Sequence, residues 1–397
     1  MDACIAAGWR VESAAERVPV RDGLGRVTAA PVRARWPAPR SACAAMDGIA
    51  IKAVPAAVGV WQLATGSFAW VDTGDLMPAG MDTVVERERV QFGADGSAQI
   101  TGPAPRGLNV RATGEDFPAG ELLIPAGHRL RPADLAAAAA AGHTTLEVAR
   151  RPVAAIIPTG DEIRPVGSAL GPGDVTDSNS LLLASRAGET GARPLVSDVQ
   201  PDDPDALTAE IRRAALAADL VLVIAGSSAG RSDHTAAVVA RAGGLAVRGV
   251  AVRPGHPVLL GYAQPDRARA GQGAMAVPVI GMPGYPLAAA VIFELFAVPL
   301  LAALQGRPPA DRLWQRAQLT CDWTSSPDVE DWVPVSLAPA PAGEQASCPV
   351  VATPGRRGAG SISRLMRANA WWPIPIGQGK FARGDHIDVQ PLPGAPS

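Results

Sequence analysis

From residue 153 to residue 304, short segments with no polar face alternate with longer segments of helical character. Val153-Ala-Ala-Ile-Ile157, Pro194-Leu-Val196, Leu220-Val-Leu-Val-Ile224 and Pro278-Val-Ile280 read as strands. The stretches 178–190, 204–217, 232–242 and 286–304 read as helices. A strand without a polar face must be covered on both sides. Strands of that kind alternating with helices predict βαβ units and a parallel sheet with helices on both faces.

The remaining sequence flanks this block. The 397 residues, at about 150 residues per domain, suggest two to three domains. Residues 1–150 form a mixed α/β region that begins with a short helix and carries an inserted β module at about 55–108. Its expected strands are Val58–Leu63, Thr83–Val85 and Ala98–Thr101, and Pro132–Ala141 is expected to be helical. The central α/β domain spans 151–305. Gln305–Ala310 reads as a linker, and 311–397 as a C-terminal β domain that closes on the strand His386–Val389. The expected fold is thus multidomain α/β.

Composition narrows the function classes. Hydrophobic residues at 47% and charged residues at 19% supply enough apolar material for more than one core and exclude a disordered chain. A net charge of −2 argues against a global grip on nucleic acid. The four cysteines form no C-x-x-C pair, which argues against a zinc ribbon or a disulfide framework. No signal peptide is expected. The run Val291–Leu304 is interrupted by Glu294 and Pro299 and reads as too short to span a bilayer. The expectation is a cytoplasmic protein with no membrane partner.

Ligands of open parallel sheets bind beyond the carboxyl ends of the strands. The three loops at those ends are Pro158-Thr-Gly-Asp-Glu162, Ala225-Gly-Ser-Ser-Ala-Gly-Arg-Ser-Asp233 and Gly281-Met-Pro-Gly-Tyr-Pro286. Gly226, Ser227, Ser228 and Gly230 read as an anion cradle ahead of a helix, though without the Gly-Lys-Ser/Thr of a P-loop. Arg253-Pro-Gly-His256 brings a cation to the same edge. Asp161, Glu162 and Asp233 are hard oxygen donors of the kind that suits Mg2+. Asp202 and Asp203 fit either this role or a helix N-terminus. Polar turns recur at Met46-Asp-Gly48, Thr73–Pro78 and Asn109–Asp116, and in the tail at Gly360–Asn369, where Ser361, Ser363 and Arg364 could hold a polar ligand.

Taken in order, these segments resemble the MoeA-type molybdopterin molybdenumtransferases, the family that includes the gephyrin E domain. The resemblance rests on Met46-Asp-Gly48, Thr73-Gly74 with Pro78–Val85, Asn109–Asp116, Thr159–Glu162, Gly226–Asp233, Pro254-Gly255 with Pro257, Met282–Pro286 and Gly360-Ser361 with Asn369, and runs from about residue 10 to 392. It implies an elongated homodimer that inserts molybdate into adenylylated molybdopterin with Mg2+ and releases AMP. The resemblance also implies site roles. Asp47, Asp116, Glu162 and Asp233 would be catalytic. Asp161, Glu162 and Asp233 would bind the metal. Substrate would meet Thr73, Thr159, Gly160, Asp161, Gly226, Ser227, Ser228 and Gly230. It would also meet Arg253, Pro254, Gly255, His256, Pro283, Gly284 and Ser361. Other proteins of molybdenum-cofactor biosynthesis are possible partners.

Several positions depart from the family pattern. Ala225-Gly226 stands for paired glycines, and Arg253-Pro-Gly-His-Pro257 for Lys-Pro-Gly-Lys-Pro. Tyr285 stands where Asn is expected before Pro286, and Ile49 where an aromatic is common. These leave a non-catalytic molybdopterin or molybdenum-cofactor carrier as the alternative. An adenylylating enzyme fits less well, because related ones lack both flanking domains.

Overall fold

The computed structural model describes residue 6 and residues 14–54, 59–225, 229–264, 275–307, 313–340, 348–355, 358, 360 and 362–392; the side chains of 225 and 229–233 are outside that description. The expected short N-terminal helix lies almost wholly outside the described residues. The chain divides into two compact units, Ala15–Ala149 and Arg150–Ser397, the latter with Met1–Ala14.

In the first unit, two small antiparallel sheets form the β module. Gly48–Ile51 is flanked by Phe68–Val71 and Thr83–Glu86, and Ala98–Thr101 pairs with Val60–Leu63 and Val90–Phe92. Ile49, Ile51 and Val85 from one sheet and Ala98 and Ile100 from the other make one core. The helix Pro132–Ala140 starts on a proline, which already has helical φ and lacks only an N–H that would be unpaired there.

The second unit holds the α/β domain. Its elements are β1 (Val153–Pro158), α1 (Ser178–Glu189), β2 (Arg193–Val196), α2 (Pro204–Ala214), β3 (Leu220–Ala225), α3 (Ala229–Ala242), β4 (Gly243–Arg248), β5 (Leu259–Ala263), β6 (Val277–Pro283) and α4 (Pro286–Ile292). The sheet order is β2-β1-β3-β6-β5-β4. The first four strands run parallel, as the apolar pattern predicts. Strands β5 and β4 add an antiparallel edge that the sequence pattern had not indicated.

Side-chain alternation splits the two faces of this sheet. Ala154, Ile156, Leu220, Leu222 and Ile280 pack with Leu183 of α1 and Ile292 of α4. Val153, Ala155, Ile157, Val221, Val223 and Val279 pack with Leu207 and Ile211 of α2 and Val238 of α3. Period-two alternation within an all-apolar strand thus feeds two cores at once.

The segment Pro286–Leu304 stays helical through a π-helical stretch at Phe293–Ala297. It is long and apolar enough to cross a membrane. Here Val291, Ile292, Phe293, Ala297 and Leu301 are buried against the protein, so its apolarity is that of a core helix.

In the C-terminal region, Glu330–Pro339, Val350–Pro354, Gln315–Leu319, His386–Pro391 and Ala370–Ile374 pair in that order, and the last pairs back onto the first. The closed sheet is filled by Leu319, Val333, Val335, Trp372, Ile374 and Val389. Val252–Arg253, from the α/β domain, extends it in parallel alongside Glu330–Asp331.

Candidate functional site

Strands β1, β3 and β6 end side by side, and a cavity of about 410 Å³ opens at their carboxyl ends. Pro158 and Thr159 come from the first strand end, Ile224 from the second, and Gly284, Tyr285 and Pro286 from the third. Its volume falls within the usual range for small-molecule sites, about 300–1,000 Å³. Glu162 lines it from the loop after β1, and Asp177, Ser178 and Asn179 from the start of α1. Gly360 and Ile362 of the C-terminal region complete the wall.

Local chemistry fixes this geometry. Gly160 has φ +134°, and a Cβ there would come within 2.9 Å of both Glu162 Oε2 and Ile163 Cγ1. Glycine is therefore what lets the chain turn and bring Glu162 to the cavity. The Thr159 hydroxyl donates to the Ile224 carbonyl at 2.9 Å and joins the ends of β1 and β3. Asp177 caps α1, accepting the Ser180 N–H at 3.0 Å.

Asn179 is 9% exposed. Its Nδ2 donates to the Gly284 carbonyl at 2.7 Å. A carbonyl can only accept, so this bond fixes the amide orientation, and Oδ1 accepts from no described residue. Residues 176–179 were not singled out from sequence as ligands. The signal available there was Thr176-Asp-Ser-Asn179, a polar cluster at a helix start, which is also what an ordinary cap looks like.

The other expected site residues are distributed as follows. Asp161 is exposed, and its Oδ1 accepts the Asp202 N–H at 3.2 Å. Asp203 caps α2 through the N–H groups of Asp205 and Ala206. Gly226, Ser227, Ser228 and Ser361 lie outside the described residues, as do the side chains at Gly230 and Asp233. Pro283 is buried at the end of β6.

Arg253 and Pro254 line a second cavity of about 250 Å³, together with Asp331, Trp332 and Arg364. There the Arg253 guanidinium donates to Asp331 Oδ2 at 2.6 Å, and the Ser325 hydroxyl donates to the same oxygen at 2.7 Å. Gly255 has φ +129°, and a Cβ there would meet Ile292 Cδ1 at 2.7 Å. His256 is exposed, with Nδ1 2.7 Å from the Val250 carbonyl. Among the described residues, no three His, Cys, Asp or Glu side chains are grouped to hold a metal.

In the first unit, the Thr73 hydroxyl and N–H both donate to Asp47 Oδ1 at 2.7 Å. The hydroxyl bond first, then the N–H bond, holds this carboxyl below the usual carboxylate range. Asp116 is exposed, and its N–H donates to the Ala38 carbonyl at 2.9 Å. Nearby, Arg111 Nε donates to Glu115 at 3.2 Å.

Three family models match in succession. Residues 2–142 match the MoeA N-terminal region (domains I and II), 155–303 a probable molybdopterin binding domain, and 316–392 the MoeA C-terminal region (domain IV). The two MoeA regions alone cover more than half of the chain. The chain belongs to the MoeA family.

Among MoeA relatives, a molybdopterin molybdenumtransferase of Nostoc sp. is 29% identical, over 93% of this chain and 87% of that one. One from Synechococcus elongatus is 27% identical, over 96% and 95%. The crystal structure of a molybdopterin biosynthesis MoeA protein from Pyrococcus horikoshii matches with a TM-score of 0.79 at 28% identity, over 99% of this chain and 98% of that one. The MoeA assignment accounts for the three-part architecture and for the α/β domain at its centre.

Proposed function

We propose that this chain is a molybdopterin molybdenumtransferase, taking adenylylated molybdopterin and molybdate and releasing AMP and the molybdenum cofactor. The observation that carries this reading is the cavity at the ends of β1, β3 and β6, with Glu162, Asp177 and Asn179 in its wall, in a chain of MoeA architecture.

The substrates are anions, and each pair of unit charges 4 Å apart repels by roughly 4 kcal/mol at an effective dielectric of 20. The carboxylate donors of the loop after β1 fit Mg2+ chemically. Asp161 and Glu162 would hold it, with Asp233 as the third acid, and when bound it would offset phosphate charge and polarise the phosphoryl group. The protein's own part is to place the substrate. The Gly160 turn holds Glu162 at the cavity, and the Asn179–Gly284 bond fixes the opposite wall.

We assign the cradle Gly226, Ser227, Ser228 and Gly230 to phosphate, and Thr159, Gly160, Pro283, Gly284 and Ser361 to the pterin and nucleotide cleft. We also assign Arg253, Pro254, Gly255 and His256 to substrate binding, with Arg253 and Pro254 in the wall of the second cavity. Asp47, Thr73 and Asp116 act from the N-terminal region within a homodimer. The functional regions are 1–150, 151–305 and 311–397, in a cytoplasmic enzyme.

One observation favours a carrier instead. His256 stands where the family has a lysine and is 2.7 Å from a backbone carbonyl, so a permanent charge is missing there. Incubating the protein with adenylylated molybdopterin, molybdate and Mg2+ decides between them. Molybdate-dependent AMP release supports the transferase, and tight binding without release supports the carrier.

A further inference from the structure

We infer that Tyr285 is a stacking platform for the flat heterocycle of the substrate, an inference that rests on the transferase reading. Tyr285 is 49% exposed and lines the cavity at the end of β6. A half-exposed aromatic ring in a concave site is a surface that gains from being covered. Ile163, Ile224, Pro286 and Ile362 continue this apolar wall, whereas Thr159, Glu162 and Asp177 supply polarity.

Gly360 stands close to the ring. A Cβ at that position would lie 3.3 Å from Tyr285 Cδ1 and 3.4 Å from Cε1, so a larger residue would press on the platform. Tyr285 also precedes Pro286 at the N-terminal end of α4, where the fixed proline φ restricts the backbone that carries the ring. Asparagine, the residue expected there in the family, offers an amide to the edge of a ligand. Tyrosine offers a face. Stacking therefore rests on the exposed Tyr285 side chain and its apolar neighbours in the same cavity. Adenine and the pterin are both flat heterocycles, so the shared chemistry is a planar ring that can stack on an aromatic face.

The test compares the wild-type chain with Tyr285→Phe, Tyr285→Ala and Tyr285→Asn. Each is titrated with AMP and, under anaerobic conditions, with molybdopterin. Stacking predicts that Tyr285→Ala and Tyr285→Asn weaken one of the two ligands by about tenfold or more. Tyr285→Phe should restore wild-type affinity, and thermal unfolding should be unchanged because the ring is half exposed. The ligand that weakens identifies which ring sits on Tyr285. Unchanged affinity of Tyr285→Ala for both ligands overturns the inference. So does a loss in Tyr285→Phe as large as in Tyr285→Ala, and so does failure of the wild type to bind either probe. Failure of the transferase reading is separate: the wild type would bind through Tyr285 yet release no AMP when molybdate is supplied.

Discussion

Asn179 Nδ2 and the Gly284 carbonyl are joined at 2.7 Å across 105 residues of sequence, tying the first turn of α1 to the loop that follows β6. Both residues line the cavity at the ends of β1, β3 and β6, so one part-buried bond sets the spacing of two of its walls.

Asn179→Ala would leave the Gly284 carbonyl without this donor. A loss of about 1–3 kcal/mol in unfolding free energy is expected, measured by urea denaturation. AMP release should fall as well, with the larger effect on KM, because the walls that seat the substrate are no longer tied together.

Glu162→Gln keeps the size of the side chain and removes its charge. Circular dichroism and unfolding midpoint should be unchanged, while molybdate-dependent AMP release falls by about a hundredfold, the scale of losing one preorganised electrostatic group. The dependence on Mg2+ should shift to higher concentration. Wild-type rates in Glu162→Gln would remove this residue from the chemistry.

Gly160→Ala places a methyl group within 2.9 Å of Glu162 Oε2 and Ile163 Cγ1, at a φ of +134°. Strain of about 1–3 kcal/mol is expected, together with displacement of Glu162. Denaturation reads the first effect. The second appears as lost AMP release at temperatures where the variant is still folded.

Acid sensitivity of the N-terminal unit should depend on Asp134. The Arg131 side chain, and to a lesser degree the Arg131 N–H and His128, hold its carboxyl well below the usual carboxylate range. A depressed carboxyl stabilises the fold fully above its unfolded pKa of about 3.9 and loses that contribution as pH falls through the folded value. Unfolding of Asp134→Asn, followed from pH 7 down to pH 2, should therefore show a shallower acid-induced loss than the wild type.

The main elements of the α/β domain were legible because their signal is local. Val153–Ile157 and Leu220–Ile224 have no polar face, and β1 and β3 form there with one added residue each. The helix expected at 178–190 forms at Ser178–Glu189. The antiparallel β5–β4 edge escaped because Gly243–Arg248 and Leu259–Ala263 do not announce their partners. Strand direction follows from where the chain returns, not from composition.

The site divides in the same way. Sequence by itself determined the family motifs, the loops at the strand ends and the glycine at 160, because a turn that needs positive φ selects its residue locally. Only the tertiary structure decided that Asn179 reaches Gly284, that the Thr159 hydroxyl is engaged by Ile224, and that Arg253 pairs with Asp331. Those contacts join residues 65 to 105 positions apart. No local preference encodes them: the first two exist because packing the two faces of one sheet brings its strand ends, and the loops they carry, to the same edge, and the third because Val252–Arg253 pairs with Glu330–Asp331 in the C-terminal sheet.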